Sequence, residues 1–526
     1  MKNCFYIFHL LLTTWLLNSG PAMAQQTFHK SYGNPSATLV PLGIIGTSDG
    51  GYLIFGDYYN TSIGKAGMVI KTDAAGDTLW TTCLDNTIST LQTTVTSVIE
   101  IPNGQGYMLA GYYSNPSAPM DPSGSLLFRL DASGNQVSVK VFNYGTGMFW
   151  FTSCTMTWSG FLLITAINGS MFTPYTNILM KATVFGTILW TNEISGFEQQ
   201  DATTQVVKEL PDHSIVLLCD TIAPPASINA AIIKFDSTGA VLWAKNYGWA
   251  NEICIPVSMT IGTNNSMLVT GQRIDANNMS TGFILSLDSS GNMLWCREYG
   301  NLSPDQVSVR KAYELGNGDI AALTRAGDTV ILFGTDQSGN VQWTKGFHPV
   351  FPSGDYFAND FVVTSGGGFA IAASDIDNGH LIKTDPVGNN DCDTVPVALN
   401  SVASPIVTTN TMSQVGSITV QILTPVFNDH KGVVVADACA TSGIPDQQET
   451  ATVNVFPNPA ADVVNITVSD NEIQELLIYD LTSKKLLREE FYSHATVNTA
   501  ALAKGIYVYE IRSKNGTAIK GKLVKD

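Results

Sequence analysis

Charge is scarce in this chain: Asp, Glu, Lys and Arg together make up 13 % of its 526 residues. Basic residues are the scarcer kind, 27 against 44 acidic, for a formal net charge of −17. Nucleic-acid binding needs a lysine and arginine footprint to neutralise phosphates, so that class is excluded. From residue 451 onward the sequence carries nine basic and nine acidic side chains, which places the acidic excess in the region before it. The usual catalytic signatures are missing too. His29, His213, His348, His380, His430 and His494 are scattered, with no pair at metal-ligand spacing. No HExxH, P-loop or nucleophile elbow occurs, so no catalytic residue, metal site or cofactor is assigned. None of the eight cysteines forms a CxxC pair, which argues against a zinc or redox motif.

No apolar run reaches the roughly 20 residues a membrane span requires. The longest candidate, from about Phe5 to Leu17, follows Lys2 and precedes Ala22-Met23-Ala24, with Gln25 next. A basic start, a short apolar core and small residues at minus three and minus one are the marks of a secretory signal peptide, expected over residues 1–24. Its removal takes Cys4 and leaves no transmembrane segment. Export permits disulfides. Cys83, Cys154, Cys219, Cys254 and Cys296 nevertheless lie in apolar strand patterns and read as small buried thiols. Cys392 and Cys439 bracket a segment without regular pattern, 393–440, expected to pack on the preceding domain, and they are the expected disulfide.

What the chain has in abundance is glycine-anchored turns. Asp73-Ala74-Ala75-Gly76-Asp77-Thr78-Leu79-Trp80, Asp236-Ser237-Thr238-Gly239-Ala240-Val241-Leu242-Trp243 and Asp288-Ser289-Ser290-Gly291-Asn292-Met293-Leu294-Trp295 are the best copies, and weaker ones centre on Gly134, Gly186, Gly339 and Gly388. A period of about 50 residues signals stacked supersecondary units. Each repeat holds four strand-like runs. The first two are joined by turns such as Ser48-Asp49-Gly50-Gly51, and the last two by the Asp-x-x-Gly turn. Four antiparallel strands make one propeller blade. In the turn the carboxylate accepts backbone N–H bonds, glycine takes positive φ, and the tryptophan four residues later packs between neighbouring blades. Calcium would need several more convergent oxygens.

The seventh copy keeps Asp385 and Gly388 but lacks a tryptophan strand. Thr27-Phe28-His29-Lys30-Ser31-Tyr32-Gly33 matches Leu242-Trp243-Ala244-Lys245-Asn246-Tyr247-Gly248, with Phe28 in the tryptophan place. The expected fold is therefore all-β: a seven-bladed β-propeller over 25–392, closed by its N-terminal strand. Both regular hairpin turns fall on one face. The longer connections on the other face carry the ligand-binding candidates Tyr58, Tyr59, Tyr113, Trp150, Phe172, Tyr175, Trp249 and Tyr356, rings suited to stacking on sugars or peptides.

After a polar linker at 441–452, seven short strands in residues 453–526 describe a small Ig-like β-sandwich. Val455-Phe456-Pro457-Asn458-Pro459, Ile478-Tyr479-Asp480-Leu481, Leu502-Ala503-Lys504-Gly505-Ile506-Tyr507 and the ending Lys520-Gly521-Lys522-Leu523-Val524-Lys525 resemble the type A C-terminal sorting domain of the Bacteroidetes type IX secretion system. Ser483 stands where that family usually has glycine. The resemblance implies an address read by the secretion machinery at the outer membrane and removed before release or attachment to the cell surface. Pro457, Asn458, Pro459, Lys504, Gly505, Ile506, Tyr507, Lys522 and Lys525 would carry it.

The repeats resemble the glycine-rich propellers found ahead of such domains in Bacteroidetes secreted proteins. They also share the Asp-x-x-Gly-x-x-x-Trp element of quinoprotein docking repeats, without that family's vicinal cysteines or eight blades. Sialidase Asp-boxes use a different spacing. The expectation is a secreted or surface-attached binding scaffold for a carbohydrate or a protein. A secreted enzyme (hydrolase or quinoprotein-like) and a purely structural or adhesive protein stay open, as does the oligomeric state.

Overall fold

The computed structural model describes residues 27–33, 37–60, 64–86, 91–115, 123–144, 148–170, 173–199, 205–223, 227–303, 307–326, 329–347, 357–375, 378–390, 394–395, 397–410, 414–417, 421–423, 427–430, 434–437, 453–456, 459–468, 473–480, 484–492, 494–513 and 518–525. Chain contacts divide it into two compact units, Met1–Ala440 and Thr441–Asp526. The expected signal peptide, the linker, Cys392, Cys439, Phe172, Tyr356, Pro457 and Asn458 lie outside the described residues.

The first unit is built from four-stranded antiparallel sheets consistent with propeller blades. Sheet 1 holds Ala37–Gly46, Tyr52–Asn60, Gly64–Thr72 and Thr78–Asn86, each paired with the next. Sheet 2 starts at Gln92–Glu100, sheet 3 at Met148–Met156, sheet 4 at Gln205–Glu209, sheet 5 at Ile253–Ile261, sheet 6 at Ser308–Glu314 and sheet 7 at Phe357–Val363. Sheets 4 and 5 are joined by one parallel pair, Ile228↔Ile253. Sheet 7 takes three strands from its own repeat, and its fourth is Phe28–Gly33, in register from Phe28↔Lys383 to Tyr32↔Gly379.

The recurrent turn does what its residue types suggest. Asp73 Oδ1 accepts the backbone N–H groups of Ala75 and Asp77, both at 2.9 Å, and Gly76 adopts φ +82°. Asp131, Asp236, Asp288, Asp336 and Asp385 repeat the bonds. At Asp336 the side-chain amide and backbone N–H of Asn340 hold the carboxyl below the usual range. Each such turn is also a dock for the preceding sheet. The Trp80 ring lies against Gly134 and its Nε1–H donates to Ala132 O at 3.0 Å. Trp243 covers Gly291 and Trp295 covers Gly339, while Tyr247 and Tyr299, four residues on, donate to those glycine carbonyls at 2.7 and 2.9 Å. Phe28 and Tyr32 repeat the pair on sheet 1: the ring lies at Gly76 and the hydroxyl donates to Gly76 O at 2.6 Å. A Cβ on any of these glycines would enter the aromatic ring, so the residue serves close approach as well as the turn.

Apolar clusters lie between successive sheets. Leu53, Val69 and Leu109 join sheets 1 and 2, and Tyr299, Val309 and Phe333 join sheets 5 and 6. A further cluster joins sheet 7 to sheet 1 through Phe28, Tyr32, Leu39, Ile54, Ala372 and Leu381. Cys83, Cys154, Cys219, Cys254 and Cys296 are buried.

Residues 393–440 read as irregular in the sequence, but their described parts include seven short strands. Thr394–Val395 pairs with the outer strand of sheet 6, Ser401–Ala403 with sheet 5, Val407–Asn410 with sheet 4 and Gln414–Ser417 with sheet 3. Gln421–Leu423, Phe427–His430 and Val434–Asp437 then pair with sheets 2, 1 and 7. The segment is a belt that gives each sheet a fifth strand, visiting them in reverse order and ending beside the N-terminal strand. Strands of two to four residues show little period-2 pattern, which is why they escape sequence reading.

The second unit has seven strands in the order Val453–Phe456, Val463–Val468, His494–Asn498, Lys485–Tyr492, Ile473–Tyr479, Gly505–Ser513, Ala518–Lys525. The single pair Tyr492↔His494 links its two halves, and one core containing Val464, Ile466, Leu476, Ile478, Phe491 and Leu523 fills the space between them. Pro459, Lys504, Gly505, Ile506 and Lys522 are exposed, while Tyr507 and Lys525 are buried.

Candidate functional site

At the end of the sheets opposite the regular turns, two of the predicted rings, Tyr59 and Trp150, are linked through a residue the sequence reading left out. Tyr112, on the second strand of sheet 2, stacks on Trp150 of sheet 3 with centroids 4.7 Å apart and planes 19° from parallel. Trp150 donates from Nε1 to Ser123 Oγ at 2.7 Å. Tyr59 of sheet 1 is 42 % exposed and lies under the Lys65 ammonium, 5.6 Å from its ring centroid. Lys65 pairs with Asp57 at 2.9 Å. Burial pushes the Asp57 carboxyl up, opposed by Lys65, whereas burial of Lys65 is outweighed by Asp57 and its ammonium is raised. Tyr59 and Lys65 both interact electrostatically with Tyr112, which ties sheets 1 and 2 into one cluster. Tyr113 is half-buried beside it, its hydroxyl 3.4 Å from Asn143 Oδ1, and half-buried Tyr175 packs on Gly169.

Two predicted rings are core residues instead. Tyr58 is buried among Ile54, Met68 and Leu39. Trp249 is buried against Phe283, and its Nε1–H donates to Ser404 Oγ of the belt at 2.8 Å. Strand alternation explains the first case, since Tyr58 and Tyr59 face opposite ways. The belt, unseen in the sequence, explains the second.

The regular-turn end is not featureless. Trp158 is 71 % exposed and Phe185 62 %, both at turn tips of sheet 3. An open cleft of about 350 Å³ lies between sheets 5 and 6, lined by Thr263, Ser286, Asp288, Trp295, Glu314 and Gln337. Glu314 also accepts the Thr263 N–H, and Glu209 and Glu100 hold the Trp158 and Ser48 turns in the same way. A glutamate ending the first strand of each even-numbered sheet thus clamps the first turn of the sheet before it.

Polar side chains also collect along the first strands. Six of these strands skip one residue in their pairing, at Leu42, Thr96, Thr152, Val257, Arg310 and Asn359. Such bulges re-aim side chains. Lys311 pairs with Asp360 at 2.7 Å, and Asp360 Oδ2 accepts the Ile44 N–H at 3.2 Å. Thr152 donates to Gln205 at 2.8 Å, and Asn359 to Pro41 O. No group of three or more His, Cys, Asp or Glu able to hold a metal occurs among the described residues.

Residues 454–526 match the family described as secretion system C-terminal sorting domain. Beta-agarase D of Zobellia galactanivorans is 36 % identical over 80 residues, which is 15 % of this chain and 16 % of that enzyme. The chain thus spans less than a fifth of that relative. Similar solved structures include a protein of unknown function from Bacteroides caccae (14 % identity, TM-score 0.33, 61 % of this chain and 93 % of that one). A glucose dehydrogenase (9 %, 0.33, 55 % and 95 %) and Drosophila Plexin A bound to Semaphorin 1b (9 %, 0.28, 69 % and 87 %) are others. At these TM-scores they carry no argument about this chain. No helix among the described residues is long and apolar enough to cross a membrane. The C-terminal unit is therefore a type IX secretion sorting domain, and the protein is exported to the cell surface or beyond.

Proposed function

We propose that the repeat region is a closed seven-bladed propeller that binds carbohydrate outside the cell through Tyr59, Tyr112 and Trp150. Closure is supported by the Phe28 and Tyr32 dock on sheet 1 and by the apolar cluster shared between sheets 7 and 1. The observation that carries the ligand class is the aromatic cluster: stacked rings with an ion pair beside them offer both an apolar face and hydrogen-bonding groups to a sugar. Tyr113 and Tyr175 flank this surface, and Phe172 and Tyr356, outside the described residues, remain candidates for it. A glycan array identifies the sugar. Replacing Tyr59 and Trp150 together by alanine should then weaken binding at least tenfold, with the melting temperature nearly unchanged because neither ring belongs to a core. Equal loss of folding and binding would instead make the rings loop packing, and capture of a protein with no glycan signal would make the ligand a protein.

Delivery is a separate expectation. A chain ending at Thr450 should fold yet stay in the periplasm, and residues 441–526 fused to a periplasmic reporter should carry it out, because the two units have independent cores. Surface delivery of the truncated chain would overturn the address. Cys392 and Cys439 are proposed to close a disulfide at the ends of the belt; peptide mapping of secreted protein that finds both thiols free removes that pairing.

A further inference from the structure

Two residues before the turn that joins the third and fourth strands, five sheets carry a cation: Lys71, Arg129, Lys181, Lys234 and Lys383. Three of these cations reach the next sheet. Lys181 donates to Ser237 O at 3.5 Å, Lys234 to Ser289 O at 3.2 Å and Lys383 to Ala74 O at 3.0 Å, each carbonyl belonging to the residue directly after the turn's aspartate. Lys71 and Lys234 also pair with the first turn of their own sheet, through Asp49 at 2.8 Å and Asp212 at 3.3 Å. Sheets 5 and 6 have Ser286 and Gly334 at this position instead. In sheet 6 the Trp343 ring takes the vacated space, lying where a Cβ on Gly334 would be. In sheet 5 the short Ser286 side chain lines the open cleft of about 350 Å³, a volume within the range of ligand pockets.

The cleft keeps the acceptors of a lysine that sheet 5 does not supply. Gln337, directly after Asp336, lines it at the position that Ser237, Ser289 and Ala74 hold at the other junctions, and Asn264 lines it at the position of Asp49 and Asp212. Glu314 adds a full negative charge. Its counterparts Glu100 and Glu209 clamp the first turns of sheets 1 and 3, and those sheets carry Lys71 and Lys181. No lysine, arginine or histidine is among the described residues that line the cleft. Asp288 lines it too, but its carboxylate accepts the N–H groups of Ser290 and Asn292 within its own turn. Leu268 and Trp295, the cross-strand neighbours of Ser286, and Ile320 of sheet 6 provide apolar wall.

We propose that this cleft binds a lysine side chain of a basic protein partner, in the place that the chain's own lysines fill at the junctions of sheets 3 with 4, 4 with 5 and 7 with 1. The site is separate from the aromatic cluster at the opposite end of the sheets and takes a different chemical class. A lysine combines a hydrocarbon stem with a charged head, which matches a cleft of apolar wall and oxygen acceptors. The stem lies along Trp295, Leu268 and Ile320, and the ammonium donates to Gln337 O and Glu314. A neutral sugar would leave the Glu314 charge unanswered. The acidic excess of the repeat region adds long-range attraction for a basic partner.

Isothermal titration of the full chain with a capped glycine peptide carrying one lysine, with the same peptide carrying norleucine, and with glucosamine tests this. The lysine peptide should bind, and its affinity should fall as salt is raised. The norleucine peptide, which keeps the stem but loses the charge-assisted bonds, should bind about tenfold more weakly or not at all. Glu314→Gln should weaken the lysine peptide by a similar factor. Ser286→Lys should abolish binding by filling the cleft from within the chain, and should raise the melting temperature by adding the missing contact to sheet 6. That rise also shows that the variant is folded. Equal binding of the lysine and norleucine peptides, an unchanged titration in Ser286→Lys, or no heat with the folded wild-type chain overturns the site. Tighter binding of glucosamine than of the lysine peptide overturns the lysine assignment in favour of an amino sugar. The Tyr59 and Trp150 variants leave this cleft intact, so failure of the aromatic site and failure of this one are read separately.

Discussion

Deleting residues 25–33 is expected to destabilise the repeat region more than any single substitution within it. The strand Phe28–Gly33 pairs on both edges, with Gly379–Thr384 on one side and Val434–Asp437 on the other. Phe28 and Tyr32 are buried in the cluster shared by sheets 7 and 1, and Asn390 donates to Phe28 O at 2.8 Å. His29 is buried with its Nε2 3.0 Å from His380 Nδ1, and His380 Nε2 lies 3.0 Å from Asp375. Losing one large core aromatic costs about 3–5 kcal/mol. Two aromatics and a strand paired on both edges therefore approach the roughly 5–15 kcal/mol that stabilises a whole domain. Urea denaturation of the deleted chain should show a collapse of the transition midpoint, with Phe28→Ala giving an intermediate loss. A melting temperature unchanged by the deletion would sink ring closure by this strand.

Removing the belt, residues 394–437, should harm solubility even more than stability. Each of the seven sheets would then present the unpaired outer edge that the belt covers, and exposed edges are templates for association between chains. Stability should fall as well. Trp249 Nε1–H would lose its acceptor Ser404, worth about 1–3 kcal/mol for a buried donor. Ile406 would leave the core of sheets 4 and 5, worth about 1.5–3 kcal/mol. Light scattering of the purified chain without the belt should show aggregation at concentrations where the intact chain is monodisperse. A monodisperse product with normal β-sheet circular dichroism would show that the outer strands tolerate solvent.

The sequence makes the sheets legible because each carries its own punctuation. Asp, Gly and Trp at fixed offsets mark the turn and the outer strand together, and the match of Phe28 and Tyr32 to Trp243 and Tyr247 identifies the pairing of Phe28–Gly33 with Gly379–Thr384. The seven C-terminal strands are likewise visible in short alternating runs. The candidate sites are less legible. Tyr112 and Tyr113 are adjacent in sequence, and only strand direction decides which of them stacks on Trp150. Lys311 and Asp360 are 49 residues apart and follow no motif. Their juxtaposition depends on first strands that run together only in the folded chain. The alternating glutamates, Glu100, Glu209 and Glu314, were within reach of inspection, because each directly precedes a first turn.

The belt has a consequence for how the number of sheets is inherited. Its strands begin at Thr394, Ser401, Val407, Gln414, Gln421, Phe427 and Val434, six or seven residues apart. The sheet count is thus encoded twice, once in long repeats and once in short steps that must agree. Repeat arrays grow and shrink by duplication of whole units, and a duplicated long repeat here would leave one sheet without a short step to cover it. Loss of a repeat would leave a step with no edge to pair. A change in sheet number therefore requires two matched genetic events at separate places in the chain, so the belt acts as a checksum that holds this array at its present size.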